Sequence, residues 1–308
     1  MILSILLLIV GFVLLTRGAD FFVDGASALA QKLKIPAIVI GLTVVAMGTS
    51  APEASISIMS ALRNSDSIAI GNVIGSNIAN IFLILGITSL ISVLTVQRNT
   101  LVYEIPFVGF ITILLCWMGY KFGMISQSGA FVLLGLFVLF LAYLYIIAKR
   151  EKNDDLEIKQ MSGLKITLYI IGGLAMLVFG SNLTVDSAIK IARYIGVSER
   201  VIGLTIVAFG TSVPELVTCI VAAIKKQSDI AIGNIIGSNI FNILFVLGIA
   251  GAISPIPFKQ EFLFDGAFAI LAILLLILFS YKHMKLGRIA GATFLGIYIV
   301  YLVLLTCL

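Results

Sequence analysis

The sequence predicts an all-α polytopic membrane protein of about ten transmembrane helices, arranged as two inverted five-helix repeats. Three observations carry that prediction. Of the 308 residues 60% are hydrophobic and 11% charged, with a mean hydropathy of +1.18, which leaves too little polar surface for a water-soluble domain. Apolar runs recur at roughly 20-residue length, enough to cross a ~30 Å hydrocarbon core as helix. The second half also repeats the first at a constant offset: Gly48-Thr49-Ser50-Ala51-Pro52-Glu53 returns 162 residues later as Gly210-Thr211-Ser212-Val213-Pro214-Glu215.

Taken in order, the first run covers 2–28; no basic stretch precedes it and it continues too far for a cleavable signal, so it is read as a span. Further spans fall at 36–62, 67–95, 100–119 and 127–148. Lys149-Arg150-Glu151-Lys152-Asn153-Asp154-Asp155-Leu156-Glu157 then mixes both signs of charge without an apolar period, which marks an exposed linker over 149–162. Five more spans follow at 163–190, 199–224, 229–254, 260–281 and 287–307, so the first repeat is 1–148 and the second 163–308. An odd number of spans per repeat turns the second upside down relative to the first. Transporters often use this arrangement, with the substrate site where the repeats meet; channels and structural bundles do not need it.

The net charge of +5 comes from basic residues scattered through short loops, which argues against nucleic acid and for membrane orientation. If the segments after spans one, three, five, seven and nine share a side, that side carries thirteen Lys and Arg against six on the other. The richer side is expected in the cytoplasm, with both termini outside and the linker inside a cell membrane. Cys116, Cys219 and Cys307 sit in apolar surroundings and suggest neither a disulfide framework nor a thiolate metal site. The single histidine, His283, lies in a basic loop and reads as a solvated residue.

The repeated segments carry the chemistry. An ionised group in a membrane-spanning helix costs at least ~2.5 kcal/mol, so Glu53 and Glu215 point to a function. Pro52 and Pro214 each remove a backbone donor and displace the carbonyl four residues earlier, at Gly48 and Gly210. Freed carbonyls at membrane depth must face protein or a polar cavity. Ala46, Gly48 and Thr49, with Ala208, Gly210 and Thr211, are therefore candidate backbone ligands, and Ser50 and Ser212 add hydroxyls. In spans three and eight, Gly71-Asn72 and Gly75-Ser76-Asn77, then Asn80, recur as Gly233-Asn234 and Gly237-Ser238-Asn239, then Asn242. The i, i+4 spacing puts Asn72, Ser76 and Asn80 on one stripe. The donors are all oxygen, which suits hard cations such as Ca²⁺ or Na⁺ rather than transition metals.

Taken singly, such Gly and Ser residues are packing residues of membrane helices, and a lone glutamate is a structural hydrogen-bonding group. Duplication of both at one offset, with proline breaks, is what packing alone does not explain. Asp24 and Asp186 repeat as well, and are assigned to helix termination or loop contacts near an interface; Asp66 and Asp229 are expected to cap the helices they precede.

Gly-Thr-Ser-x-Pro-Glu followed by Gly-Asn-x-x-Gly-Ser-Asn-x-x-Asn, present twice within 36–86 and 198–248, resembles the paired repeats of the sodium/calcium exchanger family, in the wider cation/calcium exchanger superfamily. The resemblance implies an antiporter of prokaryotic type that exchanges Na⁺ for Ca²⁺ by alternating access, with spans one and six sliding over a compact core. It further implies that Glu53 and Glu215 hold Ca²⁺ with the backbone oxygens of Thr49 and Thr211. Ser50, Ser76, Ser212 and Ser238, with the carbonyls of Ala46 and Ala208, would complete Na⁺ sites, and Asn80 and Asn242 would line the centre. Some relatives, including potassium-dependent exchangers, carry aspartate where this chain has Asn242; two charges rather than three weaken the case for potassium co-transport. The long regulatory calcium-binding domain of animal exchangers is replaced by the short linker. No cofactor and no obligatory protein partner are expected, only the transported Ca²⁺ and Na⁺ and the lipid bilayer. The rival readings are a proton/calcium antiporter, whose relatives carry an additional acidic residue in the Gly-Asn helix, and a passive cation channel using the same oxygens. An intramembrane enzyme would need a nucleophile–base pair or catalytic metal motif, and none is found.

Overall fold

The computed structural model describes residues 2–62, 68–150, 161–196 and 210–307. The chain is almost wholly helical. Helix α1 is Ile2–Leu33, followed by a span made of α2 (Ala37–Thr49) and α3 (Ala51–Leu62), α4 (Ile68–Ile91), α5 (Thr100–Phe122) and α6 (Gln127–Arg150). The second half holds α7 (Gly163–Tyr194), α8 (Val213–Ile224), α9 (Ser228–Ile253), α10 (Glu261–Tyr281) and α11 (Arg288–Cys307). Among the described residues eight helices are long and apolar enough to cross a membrane, and the bent pair α2–α3 makes a ninth. Helix α8 is shorter and occupies the position of the seventh span; residues 197–209 before it, which include Ala208, lie outside those described.

Each helix boundary has a local cause. Helix α1 runs a turn beyond the expected 2–28 and ends before Pro36, with Lys34 at a positive φ of 56°. At 32 residues it is about 48 Å long and must tilt to fit the bilayer. Helix α5 continues to Phe122 and stops at Gly123, whose φ of 65° is the left-handed cap that glycine adopts without strain. Helix α6 continues through Arg150, so Lys149 and Arg150 are helical rather than linker; residues 151–160 lie outside those described. Helix α7 starts at Ser162, whose hydroxyl accepts from the Lys165 amide at 3.3 Å.

The α2–α3 span bends by 53°. Pro52 offers no amide to Gly48, and the bend falls at Ser50, at φ −82° and ψ 8°. Ser212, its repeat equivalent, has φ −89° and ψ 5° at the start of α8. Proline thus imposes one backbone break in both halves. Turns of π-helix occur at Gly41–Val45 in α2, Asn80–Leu85 in α4 and Asn242–Val246 in α9. Such turns concentrate at functional sites, and the latter two begin on the asparagines that the sequence singles out.

Helices α4 and α9 are the most buried, and α2, α3 and α8 pack on them. Helices α1 and α7 lie side by side along their length and expose most of their surface. Their contact is backbone to backbone: a Cβ on Gly18 would lie 2.9 Å from the Gly173 carbonyl, one on Gly173 2.6 Å from the Phe22 nitrogen, and one on Gly180 2.9 Å from the Leu15 nitrogen. Two short antiparallel ladders join the halves, β1 (Leu94–Thr95) with β4 (Lys285–Leu286) and β2 (Met124–Ile125) with β3 (Ile256–Pro257).

The expected helix cap at Asp229 is corrected, and of the two readings of Asp24 the loop contact holds, with Lys225 in the turn after α8. Asp229 sits within the first turn of α9, whose N-cap is Gln227 without a side-chain cap, and Asp229 Oδ2 accepts from Gln97 Nε2 at 2.7 Å. A loop amide from the other half has claimed the carboxylate. Asp24 lies inside α1 and pairs with Lys225 Nζ at 2.8 Å, with Asp20 Oδ1 at 3.2 Å from the same nitrogen. Asp66 lies outside the described residues.

Candidate cation site

The site forms where the two proline breaks meet. Glu53 and Glu215 occupy the first turns of α3 and α8, where the unpaired amides of a helix N-terminus favour negative charge. Each is 1% exposed. The hydrogen bonds to them are crossed between repeats: Ser50 Oγ donates to Glu215 Oε1 at 2.9 Å, and Ser212 Oγ to Glu53 Oε1 at 3.3 Å. The serine at each break therefore orients the carboxylate of the opposite half. Glu53 Oε2 and Glu215 Oε2 are buried and without a hydrogen-bond partner.

Asn72 of α4 and Asn234 of α9 tie the helices around the carboxylates. Thr49 Oγ1 donates to Asn234 Oδ1 at 2.9 Å, and Asn234 Nδ2 reaches Cys219 Sγ at 3.4 Å. In the first half Asn72 Nδ2 donates to Ser57 Oγ at 2.9 Å, Ser57 being the repeat equivalent of Cys219, and to the Glu53 carbonyl at 3.2 Å. Ser238 Oγ lies 3.4 Å from the Ala46 carbonyl, which also accepts the Ser50 amide at 3.0 Å. Ser76 is buried on α4, and Thr211 is half-buried in the turn before α8.

At the centre four asparagines link α4 to α9. Asn77 Nδ2 donates to the Asn239 carbonyl at 3.2 Å, and Asn239 Nδ2 to the Asn77 carbonyl at 3.3 Å. Asn80 Nδ2 donates to Asn239 Oδ1 at 2.9 Å, and Asn242 Nδ2 to Asn77 Oδ1 at 3.2 Å. Asn80 Oδ1 and Asn242 Oδ1 remain buried without partners. Helix α3 packs on the turn that Asn242 begins, and α8 on the turn that Asn80 begins. Two carboxylates and two amides thus each leave one acceptor unsatisfied in a protein interior, where an unpaired acceptor costs about 1–3 kcal/mol. Each of these oxygens could serve a cation as a ligand. The unpartnered donors are all oxygens, from two carboxylates and two amides, a set that suits a hard ion.

Hydrogen bonds across the halves join Ser50 to Glu215, Ser212 to Glu53 and Ser238 to the Ala46 carbonyl, Thr49 is tied to Asn234, and Asn80 and Asn242 belong to the asparagine group on which α8 and α3 pack. The Gly210 carbonyl, freed by Pro214, accepts Ser181 Oγ from α7 at 3.0 Å, which ties the second break to that helix. Ser181 has no counterpart in the first half, where Ala19 stands at the equivalent position, so the repeat comparison carried no signal for it. Asn77 and Asn239 lay inside the recognised motif, but their role as cross-links required the fold.

Buried carboxylates on proline-broken spans, where inverted halves meet, define a membrane transporter of the inverted-repeat class. The model of the family described as sodium/calcium exchanger protein matches residues 3–146 and 165–307. The chain belongs to that family, whose members are membrane antiporters that exchange cations for Ca²⁺. It is 38% identical to the putative antiporter CaxA of Alkalimonas amylolytica, over 99% of both chains. It is 32% identical to the sodium/calcium exchanger MaX1 of Methanosarcina acetivorans, over 98% of both. Among solved structures, the sodium-calcium exchanger NCX_Mj superimposes with a TM-score of 0.85 at 34% identity, covering 99% of each chain.

Proposed function

We propose that the protein couples Ca²⁺ movement to Na⁺ by alternating access, through one cage formed between Glu53, Glu215 and the central asparagines. The observation that carries this reading is the set of four buried oxygens without partners, Glu53 Oε2, Glu215 Oε2, Asn80 Oδ1 and Asn242 Oδ1. Two carboxylates balance one Ca²⁺, and oxygen-only donors suit both Ca²⁺ and Na⁺. Occupancy by one ion excludes the other, which is how a shared site produces exchange. Glu53 and Glu215, with Thr49 and Thr211, form the Ca²⁺ position; Ser50, Ser212, Ser76, Ser238, Ala46 and Ala208 contribute to Na⁺ positions. Exchange of about three Na⁺ for each Ca²⁺ moves net charge, so transport responds to voltage by ~2.3 kcal/mol per charge per 100 mV. The two five-helix halves act as inverted partners, with both termini outside and the linker that follows Arg150 cytoplasmic.

Uptake of radioactive Ca²⁺ into proteoliposomes tests the reading. Vesicles loaded with Na⁺ are compared with K⁺-loaded vesicles and with vesicles holding an outward proton gradient, at clamped potential. Uptake that requires internal Na⁺ is the expected result. Uptake that follows the proton gradient and ignores Na⁺ replaces the coupling ion, and uptake indifferent to both gradients makes the protein a passive conduit.

A further inference from the structure

The two ends of an asparagine side chain have nearly the same shape, and only the hydrogen-bond network decides which faces a ligand. Here the network has a fixed sense. The Asn77 and Asn239 side chains each meet the other's backbone carbonyl, at 3.2 and 3.3 Å. A carbonyl only accepts, so each must present Nδ2 there. Their Oδ1 atoms are then left to accept, so Asn242 and Asn80, which contact them at 3.2 and 2.9 Å, must in turn present Nδ2. The remaining ends of Asn80 and Asn242 are oxygens, buried and without partners. Reversing either outer amide would set oxygen against oxygen on one side and an N–H donor towards the cation on the other.

We propose that Asn77 and Asn239 are positioning residues that hold the Asn80 and Asn242 amides with oxygen presented to the transported cation. This rests on the cage proposed above and deepens it. Two backbone carbonyls, one from each repeat, set the polarity of all four amides, and α4 and α9 must stay in register for the ligand oxygens to be in place. Any residue at 80 or 242 without a hydrogen to donate leaves an Asn Oδ1 unsatisfied.

Calorimetric Ca²⁺ titration of the purified, chelator-stripped protein tests this with a mutant cycle of Asn77→Leu, Asn242→Ala and the double variant. Asn242→Ala removes one ligand and weakens binding about tenfold, the order of one hydrogen bond to a charged group. Asn77→Leu frees the Asn242 amide to turn its nitrogen inwards and weakens binding at least as much. The double variant matches Asn242→Ala within about twofold, because no amide remains to be oriented. Multiplying losses in the double variant, or an Asn77→Leu affinity within about twofold of wild type, would overturn the proposal, since a merely structural Asn77 has no reason to couple to residue 242. If that leucine variant does not fold, the matching cycle of Asn239→Leu, Asn80→Ala and their double variant decides the matter: a double variant that matches Asn80→Ala supports the proposal, and multiplying losses overturn it. A wild-type protein that binds Ca²⁺ without exchanging it overturns the exchange reading alone, whereas one that binds neither Ca²⁺ nor Na⁺ overturns both.

Discussion

Replacing Glu53 by glutamine keeps the size of the side chain and an oxygen able to accept from Ser212, while removing the charge from a position that is 1% exposed. Removing one member of a buried charge pair costs about 3–5 kcal/mol. At about 1.4 kcal/mol per factor of ten, Ca²⁺ affinity should fall by about two to three and a half orders of magnitude. Glu215→Gln should do the same to within about threefold, because the two carboxylates have matching burial and each accepts from the serine of the opposite repeat. Ser212→Ala, which deletes one 3.3 Å hydrogen bond, should cost only about 1 kcal/mol, or about fivefold. The assay is thermal unfolding in detergent against added Ca²⁺, since a ligand at a hundred times its Kd stabilises the native state by about 2.7 kcal/mol. Wild type should show that shift, and both glutamine variants should lose it while remaining folded in chelator. A folded Glu53→Gln protein with a wild-type Ca²⁺ shift would remove Glu53 from the cage, and a loss confined to one glutamate would break the twofold equivalence.

Other expectations follow from the packing. Gly173→Ala puts a Cβ 2.6 Å from the Phe22 nitrogen and should destabilise by about 1–3 kcal/mol; Gly172→Ala, with nothing within 4 Å, should be neutral or slightly stabilising, and equal unfolding temperatures for the two would refute the close α1–α7 contact. Lys225→Met removes two ion pairs, to Asp24 and Asp20, between side chains that are 27%, 49% and 41% exposed, so the stability change should stay within about 1 kcal/mol per pair and shrink in high salt. For orientation, Asp155→Cys in a background with Cys116, Cys219 and Cys307 replaced by serine should react with an impermeant maleimide only in inside-out vesicles; labelling of intact cells would invert the proposed topology.

Much of this could be read from the residues because inverted repetition writes the site twice. The constant offset of 162 residues aligned glutamate with glutamate and asparagine with asparagine, and proline chemistry marked a break in each span just before its glutamate. What the offset hides is which half supplies the partner. Ser50 aligns with Ser212, yet each serves the carboxylate of the other repeat, a relation that exists only once the halves interlock. Asp229 was misread because a carboxylate at a helix start satisfies a local capping rule; Gln97, 132 residues away in sequence, outcompetes it. Helix α1 also outruns the expected 2–28: Leu29-Ala30-Gln31-Lys32-Leu33 mixes polar with apolar residues yet stays helical up to the turn before Pro36.

The two small ladders carry a consequence for how freedom is distributed in the molecule. Leu94–Leu286 follows the end of α4, and Met124–Pro257 the end of α5, so antiparallel traverse puts them at opposite ends of the bundle. Each ties a connection of one half to a connection of the other. Helices α5 and α10 run between the two ties, and α4, α6, α9 and α11 each adjoin one of them, so the six are held in a frame. Helices α1 and α7 flank neither ladder and meet each other over glycine. Slow amide exchange should outline the frame, and the pair outside it is where the chain can yield without unpicking a backbone hydrogen bond between its halves.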